Sequence, residues 1–121
     1  MHIMVIDDEV SWLKMVGVLL EMLDYEVTLV SSASEGVELM KAEPHKYQLL
    51  LLDLMMPEMN GNEVLTVMKK MPELAHIPVL LQTGCHDMVQ INTALALGAM
   101  DYITKPFKRN ELGAMLKKIA V

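Results

Sequence analysis

The sequence is poor in everything that would cross-link it, anchor it in a bilayer or fasten it to a nucleic acid. Cys85 is its one cysteine, so no internal disulfide can form, and the composition is compatible with a reducing compartment. Its longest uninterrupted apolar run falls far short of the roughly 20 residues that a membrane span requires. The N-terminus has no basic segment leading into an apolar stretch and a small-residue cleavage site, so no secretory leader is expected. Together these absences point to the cytoplasm. Positive charge is also in short supply. Ten basic residues against sixteen acidic ones leave a net charge of -6, whereas gripping nucleic acid takes a basic face. No Gly/Ser linker, low-complexity segment or internal repeat divides the 121 residues, which fit one domain over 1–121.

Apolar residues, in contrast, make up 53% of the chain, enough for a sizeable core. Its thirteen methionines read as adaptable core filler in place of leucine rather than as metal or redox groups. Apolar runs alternate with helical stripes, the pattern of βα units around a parallel sheet. Strands are predicted near 2–6, 26–30, 48–52, 77–82 and 100–103, three of them nearly continuous in apolar residues, as strands covered on both faces are. Helices are predicted from the stripes Val10, Leu13, Val16, Leu20, Leu23; Ala33, Val37, Met40; Val64, Met68, Met71; Met88, Ile91, Leu95; and Leu112, Leu116, Ile119. Ser32 and Glu35 have capping-box spacing at the start of the second. Pro44, Pro57, Pro72, Pro78 and Pro106 fall between these elements or at their edges. Five such units predict a flavodoxin-like, doubly wound α/β domain, (βα)5, with a five-stranded parallel sheet in the order 2-1-3-4-5. The first and third strands then meet at the topological switch point, and ligands bind beyond the strands' carboxyl ends.

Three aspartates fall at that edge. Asp7 and Asp8 follow Ile3-Met4-Val5-Ile6, and Asp53 follows Leu49-Leu50-Leu51-Leu52. Singly, each would read as a solvated loop acid. Side by side, their like charges call for a cation, and an all-oxygen donor set with open positions suits Mg²⁺. Asp53 is placed to act as a nucleophile on phosphorus, forming an acyl phosphate. Attacker and phosphoryl oxygens are all negative, so the reaction needs positive charge around it. Lys105, after the fifth strand and before Pro106, can bring a point charge to the same edge. Thr83, at the end of the fourth strand, can donate its hydroxyl to a phosphoryl oxygen, and Gly84 lets the backbone approach a bulky ligand. Alone, Lys105 would be a surface charge and Thr83 a β-branched strand residue; their convergence with three acids gives them a role.

With Val5-Ile6-Asp7-Asp8-Glu9, Asp53-Leu54-Met55-Met56-Pro57-Glu58-Met59-Asn60-Gly61, Leu81-Gln82-Thr83-Gly84 and Asp101-Tyr102-Ile103-Thr104-Lys105-Pro106-Phe107 in this order, the chain resembles the receiver domain of two-component response regulators over essentially its whole length. The resemblance implies that Asp53 accepts a phosphoryl group from a histidine kinase. Asp8 would be the direct metal ligand, Asp7 its partner acting through water, and Met55 a ligand through its backbone carbonyl. Thr83 and Lys105 would contact the phosphoryl group. Tyr102 stands at the switch-aromatic position, its ring turning inward as Thr83 moves, although an aromatic there also packs well as a plain strand residue. The face made by the fourth helix, fifth strand and fifth helix would then change its preference for a downstream protein or output domain. A dimer formed on phosphorylation is compatible with that face.

The chain departs from the family pattern in places. The side chains of Met55 and Cys85 would border the phosphoryl group and, being apolar, would position an attacking water poorly, so slow self-dephosphorylation is expected. Lys108 stands where a Ser, Asp or Asn cap is expected, with Arg109 in the first turn, and both oppose the helix dipole by a few tenths of a kcal/mol. Lys105, Lys108 and Arg109 are either a basic patch for a partner or a tolerated poor cap. His2, His45, His76 and His86 lack the spacing of a metal site and read as surface or loop residues, His86 lying three residues after Thr83. Trp12 is expected on or beside the first helix, near enough to the acid pair to report on metal binding. Two other functions are open. A Mg²⁺-dependent aspartyl-nucleophile phosphatase would need a second acid two residues beyond Asp53, where Met55 stands. A receiver-like interaction module without phosphorylation would have no use for the five residues that are all present. The expected role is that of a signalling phosphoacceptor rather than an enzyme, one that assists its own phosphorylation and dephosphorylation. Both a stand-alone receiver and one domain of a longer regulator fit a sequence that ends after its last helix.

Overall fold

The computed structural model describes residues 1–84 and 88–120; the roles expected of Cys85 and His86 lie outside the described residues. Strands and helices alternate as β1 (His2–Ile6), α1 (Val10–Met22), β2 (Glu26–Val30), α2 (Ala33–Ala42), β3 (Leu49–Asp53), α3 (Gly61–Lys70), β4 (Val79–Thr83), α4 (Met88–Ala96), β5 (Asp101–Thr104) and α5 (Arg109–Ala120). All neighbouring strands are parallel, in the order β2-β1-β3-β4-β5, the doubly wound arrangement expected.

Strand alternation divides the core between the two faces of the sheet. Met4, Ile6, Leu50, Leu52 and Leu81 meet Val37 and Met40 of α2, Val64 and Met68 of α3 and Ile91 of α4. Ile3, Val5, Leu49, Leu51 and Leu80 meet Leu13, Val16 and Leu20 of α1 and Leu112 and Leu116 of α5. Because β1, β3 and β4 are covered on both sides, every position of their apolar runs is buried, which is why those runs are continuous.

One close approach sets the position of Asp53. A Cβ on Gly61 would lie 3.0 Å from the Asp53 carbonyl oxygen and 3.0 Å from the Leu54 Cα. The Gly61 N–H donates to the Leu54 carbonyl at 2.9 Å. The start of α3 is thus set directly against the end of β3, backbone on backbone.

The structure differs from the expectation in instructive ways. The last three strands each run one residue further: Asp53 still faces Gln82, and Thr83 faces Thr104. Backbone pairing, not side-chain polarity, decides where a strand stops. β4 starts at Val79 because the Ile77 N–H is turned back to Leu74, and Pro78 offers only its carbonyl, which accepts from Leu50 at 2.9 Å. Val10 and Met88, counted into buried stripes, are 50% and 48% exposed; each is the first residue of its helix, past the edge of the sheet. Met4, Met40 and Met68 fill the core, but Met15, Met22 and Met100 lie on the surface, so the filler reading covers only part of the methionines. His2 is a half-buried strand residue rather than a surface one. Its Nε2 is 2.7 Å from Thr28 Oγ1, its ring is edge-on to Tyr47, and burial lowers its pKa. His45 and His76 are exposed and stack at 5.6 Å. The cap of α2 forms as expected, Ser32 accepting from the Glu35 N–H. At α5, where a poor cap was expected, Glu111 accepts the Lys108 N–H at 3.0 Å, forming the returning half of a capping box. Among the described residues no helix is long and apolar enough to cross a membrane.

Candidate functional site

The register that places Ile6 opposite Leu52 brings Asp7 and Asp53 to the same sheet edge. Asp7 is fully buried, Asp53 is 5% exposed and Asp8 is exposed at the mouth. One carboxylate oxygen from each lies within 4.8 Å of the others. Lys105 arrives from the far side of the sheet, its Nζ 2.6 Å from Asp7 Oδ2 and 3.6 Å from Asp53 Oδ1. Its own N–H donates to the Thr83 carbonyl at 2.9 Å, so the loop that carries Lys105 is tied to the end of β4. The predicted site residues Asp7, Asp8, Asp53, Met55 and Lys105 therefore share one edge with Thr83, which is buried at the end of β4.

The two buried acids are held differently. Asp7 Oδ2 takes the ammonium of Lys105 and Asp7 Oδ1 takes the Glu9 N–H at 2.9 Å, so both its oxygens are engaged. Among the described residues, Asp53 has only the Met55 N–H at 3.4 Å and the more distant Lys105. Burial, then the charge of Asp7, push the Asp53 carboxyl up to about 7; Lys105 and the Met55 N–H oppose this, and Asp8 adds to it. With all three acids ionised, one ammonium leaves two negative charges uncompensated. Hard oxygens with an excess of negative charge, one of them at the open mouth, fit a divalent cation of the Mg²⁺ kind.

A cleft of about 700 Å³ opens above these groups, lined by Asp8, Glu9, Trp12, Asp53, Met55, Gly84, Lys105 and Pro106. Met55 turns its side chain outward, 51% exposed. Tyr102 does not line this cleft. It pairs with Leu81 in the sheet and packs, half-buried, against the core on the α2, α3 and α4 side.

Sequence reasoning missed the wall on the α1 side. The Trp12 indole N–H donates to Gln82 Oε1 at 2.7 Å, its ring is edge-on to Phe107 with centroids 4.9 Å apart, and Lys105 Nζ lies 5.6 Å from the ring centroid. The available signal was Gln82 itself, a polar residue inside a strand otherwise read as buried.

A sequence profile described as the response regulator receiver domain matches residues 3–117. The alkaline phosphatase synthesis transcriptional regulatory protein PhoP of Bacillus subtilis is 36% identical over 117 residues, covering 97% of this chain and 47% of PhoP. The chain spans about half the length of the curated transcriptional regulators it matches. Among solved structures, the signal receiver domain of a signal transduction histidine kinase from Syntrophus aciditrophicus aligns with a TM-score of 0.85 and 30% identity, covering 98% of this chain and 88% of that one. The receiver domain of sensor histidine kinase PA1611 from Pseudomonas aeruginosa aligns with a TM-score of 0.85 and 26% identity, covering 97% of this chain and 94% of that one; a magnesium ion is coordinated in its active site cleft.

Proposed function

The chain belongs to the receiver domains of response regulators, the signalling modules of two-component systems, and from that membership we propose that Asp53 takes up a phosphoryl group and that residues 1–121 work as one switch. The observation that carries this reading is the convergence of Asp53, Asp7, Asp8 and Lys105 on one cleft. The donor is the phosphohistidine of a histidine kinase, or a small phosphodonor. An Asp53 carboxylate oxygen forms a bond to phosphorus as the P–N bond breaks. The electron pair of that bond leaves with the imidazole, which takes a proton from water, and Asp53 becomes an acyl phosphate.

Mg²⁺, when bound, supplies positive charge against the phosphoryl oxygens. Asp8, at the mouth, is the direct ligand, and Met55 lends its backbone carbonyl. Asp7 acts through water, in keeping with the engagement of both its oxygens. Lys105 stays close to Asp53 and neutralises charge on the incoming group, and the Thr83 hydroxyl donates to it. The movement of Thr83 frees space into which Tyr102 turns, and the α4-β5-α5 face changes its preference for a downstream protein, an output domain or a second receiver. This is a local charge event biasing a two-state element. The domain promotes its own chemistry and turns over no separate substrate. It works in the cytoplasm, and with a net charge of -6 it does not itself hold nucleic acid. A phosphatase reading lacks its second acid at Met55, and an interaction module without phosphorylation leaves the Lys105–Asp7–Asp53 arrangement without a task.

Beryllofluoride tests the assignment. Wild-type protein with Mg²⁺ is expected to bind one equivalent, seen by ¹⁹F NMR, and Asp53→Asn to bind none; binding that survives the substitution refutes it. Met55 offers a second test. Its exposed apolar side chain at the cleft cannot hold an attacking water, whereas Met55→Asn can, so the phosphorylated form is expected to hydrolyse about 3- to 10-fold faster. An unchanged lifetime in a phosphate-release assay would remove the slow-hydrolysis reading.

A further inference from the structure

Trp12 meets Gln82, Phe107 and Lys105 along the α1 and α5 side of the cleft, and the steps above use only the lysine. Gln82 is wholly buried in β4, on the same face as Leu80, which belongs to the core under α1 and α5. Its Oε1 accepts the Trp12 indole N–H at 2.7 Å, while its Nε2 has no hydrogen-bond partner among the described residues. A buried amide left half satisfied is costly where a leucine would pack without penalty. Phe107 stands edge-on to the Trp12 ring, 86° between planes with centroids 4.9 Å apart, and packs against it. Lys105 has its ammonium 5.6 Å from the Trp12 ring centroid and 2.6 Å from Asp7 Oδ2.

A lysine side chain is a flexible stem carrying a point charge. Asp7 restrains that charge from one side, and the electron-rich indole attracts it and keeps water away on another. We propose that Gln82 and Trp12 are a positioning pair that holds the Lys105 ammonium beside Asp53, ready for the incoming phosphoryl group. The proposal rests on the phosphoacceptor function given above. Gln82 fixes the indole by its N–H, and the indole fixes the lysine. Gln82 directly precedes Thr83, whose carbonyl accepts the Lys105 N–H at 2.9 Å, so the pair is anchored in the same strand end that holds the lysine's backbone.

Phosphorylation by phosphoramidate at saturating Mg²⁺ tests this in the full chain, with Trp12→Ala, Trp12→Phe, Gln82→Leu, Lys105→Met and the double variant Trp12→Ala/Lys105→Met. Trp12→Ala is expected to slow the reaction about 10-fold. Trp12→Phe, which keeps a ring and the packing but loses the N–H, slows it about 3-fold. Gln82→Leu is expected to do the same, and to shift the emission of Trp12, the sole tryptophan, in metal-free protein. Mg²⁺ affinity by calorimetry stays within about 2-fold for the Trp12 and Gln82 variants, which remove neither a charge nor an oxygen ligand. In the Lys105→Met background, Trp12→Ala is expected to change the rate less than about 2-fold, since a residue that acts through the lysine has nothing left to position. Equal rates for wild type and Trp12→Ala overturn the inference. So does an equal slowing in both backgrounds, the sign of general loosening. If wild type takes up phosphoryl groups and either result follows, only this inference falls; if wild type takes up none, the proposed function falls with it.

Discussion

Lys105→Met is expected to destabilise the metal-free protein by about 3 kcal/mol at pH 8, the low end for losing one partner of a buried ion pair, because the cleft is open to water. Asp7 is the group left exposed to that loss. It is fully buried, and its Oδ2 faces the ammonium at 2.6 Å. Removing Lys105 also withdraws the charge that holds the Asp53 carboxyl down against burial and Asp7. The repulsion between the two acids is then relieved only by protonation, so the penalty shrinks as pH falls toward 5. Urea midpoints at pH 5 and 8 measure both effects, and an unchanged denaturant slope shows that the native state itself persists. In the phosphoacceptor role the same substitution removes a preorganised cation from the developing charge, and phosphorylation is expected to slow about 100-fold. A penalty equal at the two pH values would show that the Lys105 charge does not act on Asp53.

Asp53→Asn is expected to abolish phosphoryl uptake and, in metal-free protein above pH 7, to raise stability. The sign follows from linkage. The Asp53 pKa is raised on folding to about 7, so between its unfolded value and about 7 the native state binds more protons than the unfolded state. Stability therefore falls as pH rises through that window and levels off above it. Asparagine carries no titrating group, so the variant's curve is flatter and lies above that of wild type at pH 8. An open cleft screens the repulsion, which places the gain at about 1–2 kcal/mol. Mg²⁺ is expected to close the gap by stabilising wild type more than the variant. A variant less stable than wild type at pH 8 without metal would mean that the Asp53 charge is a stabilising one.

The fold was readable because its signals are local. A strand buried on both faces needs an unbroken apolar run, and the runs at 3–6, 49–52 and 79–81 supply it. The acids were readable because they interrupt those runs where the sheet ends. The unreadable parts depend on distance through space. The partnership of Trp12 with Gln82 joins residues 70 apart, and the stacking of His45 on His76 joins two loops; no periodicity encodes either. Helix stripes overstated burial at Val10 and Met88 because a stripe names a face but not how far the sheet extends beneath it. His2 looked like a surface group because an imidazole at a strand start carries no mark of the threonine and tyrosine that receive it.

The contact between Lys105 and Asp7 spans 98 positions of the chain. Synthesis therefore delivers the acceptor long before its counter-charge. A nascent polypeptide that has exposed Asp53 but not Lys105 lacks the ammonium that the two buried acids share in the finished fold, and a fragment cut before β5 lacks it for good. In the phosphoacceptor role proposed, the charge set around Asp53 is therefore complete only once the last strand has been made.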